Sequence, residues 1–194
     1  MNLPNKITLT RILIVPFMIL AFYTDRLFAG FNYGGLIAAV IFLIAALTDF
    51  ADGYIARKNN LVTTMGKFLD PIADKILVIC ALFLIVESGL VIIPLGAIFS
   101  ALIVSRELII GGFRQIAAAK NVVISADFSG KIKAVFQDIA MVMFLVLKTF
   151  NILLGGILLD VYIAAAYAAF TIAVILTVYS GISYIIKNKA VLRQ

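Results

Sequence analysis

The 194-residue chain is 64% hydrophobic and only 13% charged, with a formal net charge of +6 and a mean hydropathy of +1.16. That is too little polar side chain to cover a water-soluble globule, so the sequence reads as an integral membrane protein. One cysteine, Cys80, and no histidine exclude an intrachain disulfide framework and a histidine-based zinc site.

A helix needs about 20 apolar residues to cross a bilayer core, and six such runs predict an all-α, polytopic fold with six transmembrane helices. The first, about Ile7 to Tyr23, has no small-residue cleavage site after it and reads as a retained helix. After "TDRLFAGFN" the second runs from Tyr33 to Ala56 and the third from Phe68 to Ser88. Beyond "ESGLVIIP" the fourth runs from Val91 to Ala119, the fifth from Lys133 to Phe150, and after "NILLGGILLD" the sixth from Leu158 to Ile186. Residues 1–194 read as one membrane domain with no internal repeat of the kind a rocking transporter carries. An even number of spans puts both termini on one side. With a cytoplasmic N-terminus, Arg26 and Lys148 alone among the 16 Lys and Arg fall on the far side, as the positive-inside rule requires. The basic excess, Lys187, Lys189 and Arg193 included, reads as attraction to anionic lipid headgroups rather than to nucleic acid.

Between the second and third spans lies "DFADGYIARKNNLVTTMGKFLDPIADK", with four aspartates. Residues three or four apart share a helix face, so Asp49 pairs with Asp52 and Asp70 with Asp74 across one loop. Asp49 is 15 residues past Gly34, roughly 22 Å of helix rise, which places it near the cytoplasmic edge. Four close carboxylates need cations between them. Oxygen donors without His or Cys point to two divalent cations, Mg2+ or Mn2+, an arrangement suited to clamping phosphate oxygens during in-line displacement. Gly53 and Gly66 leave room for a ligand or a neighbouring helix, and Arg57 offers a planar fork for phosphate. The competing reading makes these residues helix-end charges, with Asp70, which precedes Pro71, an ordinary N-cap. Intramembrane carboxylates are costly, which favours function.

Further along, Arg106 and Arg114 interrupt an apolar run and, with Lys131, form a candidate anion site. Lys133 stands about 200° from Lys131 on an ideal helix and is expected to face elsewhere; it and Lys120 read as snorkelling side chains. Glu107 reads as a partner for a neighbouring arginine. Gly111 and Gly112 read as helix-packing positions.

The spacing D-x2-D-G-x2-A-R-x8-G-x3-D-x3-D, at Asp49, Asp52, Gly53, Ala56, Arg57, Gly66, Asp70 and Asp74, resembles the signature of the CDP-alcohol phosphatidyltransferase family. "NLPNKITLTRILIVP", "SRELIIGGFRQ" and "GKIKAVFQD" resemble the bacterial branch that moves a phosphatidyl group from CDP-diacylglycerol to glycerol 3-phosphate on the way to phosphatidylglycerol; Ala134 stands where that branch has threonine. The resemblance implies a six-helix homodimer in the bacterial cytoplasmic membrane, with its active site facing the cytoplasm. Asp49, Asp52, Asp70 and Asp74 would be metal ligands, and Asp74 also the general base. Gly53, Arg57, Thr63 and Gly66 would hold the CDP part of CDP-diacylglycerol, with Asn5 and Thr8 closing the site. Arg106, Arg114 and Lys131 would take the acceptor phosphate. A different acceptor (serine, inositol phosphate or phosphatidylglycerol), a divalent-cation transporter and a lipid-binding bundle remain alternatives on sequence alone.

Overall fold

The computed structural model describes residues 3–28, 30–58, 64–92, 94–119, 128–153 and 155–188; for 3–8, 49–58, 64–71, 74, 118–119 and 128 the description extends to the backbone alone. Among these residues there are seven helices and no strand: α1 Leu3–Phe22, α2 Thr24–Leu27, α3 Gly34–Lys58, α4 Thr64–Glu87, α5 Leu95–Ala119, α6 Phe128–Leu153 and α7 Ile157–Asn188. The six long helices follow the six apolar runs, but their ends do not. α4 begins four residues before Phe68 and α6 five residues before Lys133, because polar residues continue a helix past the point where the apolar run stops. Pro94 stands just ahead of α5, where a missing N–H leaves no bond unmade. The four-residue α2 inside the first loop has no apolar signature. Three described stretches, Leu95–Ala117, Ser129–Leu153 and Ile157–Asn188, are long and apolar enough to cross a membrane, and Leu9–Phe22 and Gly34–Thr48 are shorter apolar helices.

α6 lies at the centre, packed on α3, α4 and α7, while α1 packs on α3 and α4, and α5 on α4 and α7. Small residues make this closeness possible. α3 turns Ala38, Ala39, Phe42 and Ala45 inward, meeting Ala81 of α4, Ala140 of α6 and Ala166 of α7 in one core. Where lipid is as apolar as the core, such van der Waals fit rather than water exclusion is what draws helices together. Phe144 sets its ring edge to face with Tyr167 and Phe170, at 5.3 and 5.6 Å between centroids. Leu13, Phe17, Leu43, Ile44, Ile175 and Ile186 point outward and are exposed, as a lipid-facing periphery requires.

Successive long helices alternate in direction, so the bundle has two chemically different ends. At the far end, where α1, α4 and α6 finish, polar groups complete one another. Asp25 Oδ1 accepts the N–H of Gly34 at 2.8 Å and Thr149 Oγ1 that of Leu36 at 3.0 Å, so two of the orphan donors of the first turn of α3 are filled from other elements. Lys148 pairs with Asp25 Oδ2 at 3.0 Å and donates to the carbonyl of Phe22, at the end of α1. Glu87 accepts from Tyr23 Oη at 2.7 Å and pairs with Arg26 at 3.4 Å.

Candidate functional site

The other end is where α3 finishes and α4 begins. The last turns of α3 carry Asp49, Asp52, Gly53 and Arg57, and the first turns of α4 carry Gly66, Asp70 and Asp74. The two helices pack on each other, so their backbones bring both aspartate pairs to this end. Asp70 is the seventh residue of α4, which rules out its reading as an N-cap. Thr63 lies outside the described residues, as do the side chains of Asn5, Thr8, Asp49, Asp52, Arg57, Asp70 and Asp74, and Gly53 and Gly66 are described by backbone alone.

Beside this hairpin, α4, α5 and α6 enclose a cavity of about 260 Å³. α4 contributes Lys75, Val78, Ile79 and Leu82, at spacings of three, four and seven, which is one helix face. Asp74 precedes Lys75 by one residue and Val78 by one turn. α5 contributes Ile103, Arg106, Glu107 and Arg114, and α6 contributes Lys131, Lys133, Ala134, Gln137 and Asp138. Among the described residues, five cations and two carboxylates thus line one small space. Lys75 is 11 residues into α4, roughly 16 Å along its axis, so the cavity enters the bundle rather than resting on its end.

Arg106 stands near the middle of α5. Its Nη2 donates to Ser180 Oγ of α7 at 3.1 Å, while Nη1 is 3.7 Å from Glu107 Oε1, beyond hydrogen-bond reach. Its five donors are therefore far from saturated by these two neighbours. Arg114 is exposed and holds its guanidinium carbon 5.4 Å from the centroid of the Tyr184 ring.

The three sequence-derived anion ligands, Arg106, Arg114 and Lys131, line the same cavity, and Lys133 joins them. Two expectations for Lys133 are corrected here. It does not snorkel: it is 3% exposed and pairs with Glu107. Nor does the 200° separation divide it from Lys131, because long stems reach around α6, one to the buried wall and one to the exposed rim. Glu107 accordingly serves a lysine as its close partner, with Arg106 farther off. Lys120 lies outside the described residues.

Lys75 escaped the sequence reading although it adjoins the aspartate signature, because a basic residue at a span's cytoplasmic end looks like a topology signal. Its ammonium rests against Gly111 of α5, where a Cβ would collide with Lys75 Nζ. Among the described residues Lys75 has no ion-pair partner. Gln137 is 3% exposed with an unpartnered Oε1, a further buried polar group on the wall.

A family model described as CDP-alcohol phosphatidyltransferase matches residues 1–179. A CDP-diacylglycerol–glycerol-3-phosphate 3-phosphatidyltransferase of Bacillus subtilis is 43% identical, over 96% of this chain and 95% of its own length. Proteins of the same name from Wigglesworthia glossinidia brevipalpis, at 39% over 87% of this chain and 89% of theirs, and from Rickettsia felis, at 36% over 94% and 93%, are also similar.

Proposed function

The chain belongs to the CDP-alcohol phosphatidyltransferase family, and on that premise we propose that it transfers the phosphatidyl group of CDP-diacylglycerol to sn-glycerol 3-phosphate. The observation that carries the acceptor is the cavity with five cations beside the aspartate hairpin. A phosphorylated acceptor needs such a site; neutral serine does not. The relatives named for this reaction support the same reading.

The acceptor hydroxyl oxygen forms a bond to the phosphatidyl phosphorus as the bond from that phosphorus to the CMP oxygen breaks, giving phosphatidylglycerophosphate and CMP. Asp74 takes the hydroxyl proton, with the cavity beginning at the next residue, Lys75. Arg106, Arg114 and Lys131 hold the acceptor phosphate, orienting its hydroxyl toward Asp74. Gly53, Arg57, Thr63 and Gly66 hold the CDP part, and Asn5 and Thr8 close over it.

The donor set at the hairpin, four carboxylates in two pairs with neither His nor Cys, fits hard divalent cations. Asp49, Asp52, Asp70 and Asp74 would hold two Mg2+ or Mn2+ ions, which when bound supply positive charge to the phosphate oxygens. Residues 1–194 act as one domain of six spans with cytoplasmic termini, and the far-side positions of Arg26 and Lys148 support that orientation. The site then faces the cytoplasm of a bacterial inner membrane, the acyl chains stay in lipid, and the chain works as a homodimer.

The test is CMP release by purified protein in detergent, given CDP-diacylglycerol and Mg2+ or Mn2+, with glycerol 3-phosphate, serine or inositol phosphate as acceptor. Release with glycerol 3-phosphate alone, lost in Asp74→Asn, is expected. Release with another acceptor overturns the acceptor; no release with any overturns the reaction.

A further inference from the structure

We propose that one face of α7, made by Ser180, Gly181 and Tyr184, positions the guanidinium groups of Arg106 and Arg114 and thereby sets affinity for the phosphorylated acceptor. The inference rests on the function proposed above and adds a specificity element from a helix that contributes none of the charges lining the cavity.

Three independent contacts support it. Ser180 is 1% exposed and its hydroxyl donates to the carbonyl of Thr177 at 3.3 Å, so its lone pairs are left to accept from Arg106 Nη2. Gly181 leaves the backbone bare where the arginine stem passes: a Cβ there would meet Arg106 Cγ at 3.1 Å and Nε at 3.8 Å. Tyr184 is fixed edge to face on Phe113, at 5.7 Å and 81°, within a buried cluster with Ile110 and Ala117, and its ring lies under Arg114. Residues 180, 181 and 184 share one helix face, so a single surface of α7 fixes both arginines of α5.

The chemistry of the seat matters as much as its geometry. Lys133 is held by a carboxylate, which cancels its charge. Arg106 and Arg114 are steered by a hydroxyl, a bare backbone and an aromatic ring, none of which carries a charge. None of these α7 contacts offsets the arginines' charge, and Glu107, engaged at close range by Lys133, stands farther off from Arg106 at 3.7 Å.

Initial rates against glycerol 3-phosphate, at saturating CDP-diacylglycerol, test this with the full chain in detergent. Tyr184→Leu removes the ring face and is expected to raise the KM for glycerol 3-phosphate about five-fold. Ser180→Ala, which removes a hydrogen bond to a charged group, is expected to raise it about ten-fold. In both, kcat and the KM for CDP-diacylglycerol should stay within about two-fold. Tyr184→Phe, which keeps the ring, should bring the KM back toward that of the unaltered protein. In an Arg114→Ala background Tyr184→Leu should add nothing, since its effect runs through that arginine. An unmoved KM in both variants, an additive double variant, or a fall in kcat equal to the change in KM overturns the proposal. Should Tyr184→Leu fail to fold, Ser180→Ala alone decides. Unaltered protein that responds to glycerol 3-phosphate while its variants do not differ refutes the α7 assignment alone; unaltered protein that does not respond refutes the proposed function and this inference with it.

Discussion

The two ends of the bundle use charge in opposite ways. At the far end each cation has its anion: Lys148 has Asp25 and Arg26 has Glu87, with Tyr23, Gly34 and Leu36 filling remaining acceptors and donors. In the cavity at the other end, among the described residues, five cations share two carboxylates, and one of those, Glu107, is engaged by Lys133. Paired charge holds helices together, whereas surplus charge of one sign in a concave site costs stability unless a ligand completes it. That difference separates scaffold from site without reference to any relative.

If the comparison holds, variants at the two ends fail in different currencies, stability at one and acceptor KM at the other. Asp25→Ala leaves Lys148, whose side chain is 15% exposed, without its anion and with the Phe22 carbonyl as its remaining acceptor, and removes the acceptor for the Gly34 N–H. The expected cost is about 3 kcal/mol. Thermal size-exclusion analysis in detergent should show a clear fall in melting midpoint, with the KM for glycerol 3-phosphate unchanged in the protein that survives. Arg106→Ala should do the reverse. Losing charge-assisted hydrogen bonds to phosphate raises that KM about thirty-fold, while the melting midpoint holds or rises as like-charge repulsion in the cavity is relieved. A large loss of stability in Arg106→Ala would mean that the cavity arginine is scaffold after all.

A smaller effect tests Lys75. Gly111→Ala places a methyl group where the ammonium rests, so Lys75 must withdraw from the wall. The variant displaces the ammonium but keeps its charge, so it should raise the KM for glycerol 3-phosphate about two-fold, less than the about five-fold expected of Lys75→Met, which removes the charge outright. If Lys75→Met leaves the KM unmoved, Lys75 is one of the far-reaching topology charges and not part of the surplus.

How much of this was legible in the sequence depended on what each residue costs. An arginine in an apolar run is expensive enough to announce itself, and Arg106, Arg114 and Lys131 do line one cavity. The aspartate spacing was equally plain, and the backbone brings both pairs to one end. Serine, glycine and tyrosine in an apolar helix cost almost nothing, so the α7 face looked like packing and emerged only from contacts across 74 positions of sequence. Lys133 departs from its sequence expectation for a geometric reason: a helical-wheel angle describes where a stem starts, not where a flexible four-carbon chain ends. Helix limits were blurred because an apolar run measures the bilayer, while helical hydrogen bonding continues into the polar turns at Thr64 and Phe128.

The smallest expected effect sharpens the comparison most, because it separates pairing from burial within the far end itself. Arg26 and Glu87 are a pair like Lys148 and Asp25, at 3.4 Å against 3.0 Å, but their side chains are 61% and 49% exposed against 15% and 10%. Water screens an exposed pair and the side chains lose entropy in making it, so little stability is at stake. Arg26→Ala should leave the melting midpoint within about 1 °C of the unaltered protein, a shift too small for a surface pair to exceed. Tyr23 remains as a donor to Glu87 in that variant, at 2.7 Å, so the carboxylate keeps a partner. A fall as large as that of Asp25→Ala would show that pairing matters at this end regardless of depth. An unmoved midpoint would assign the stabilising role to the buried pair, where Asp25 and Lys148 tie the end of α1 to the start of α3.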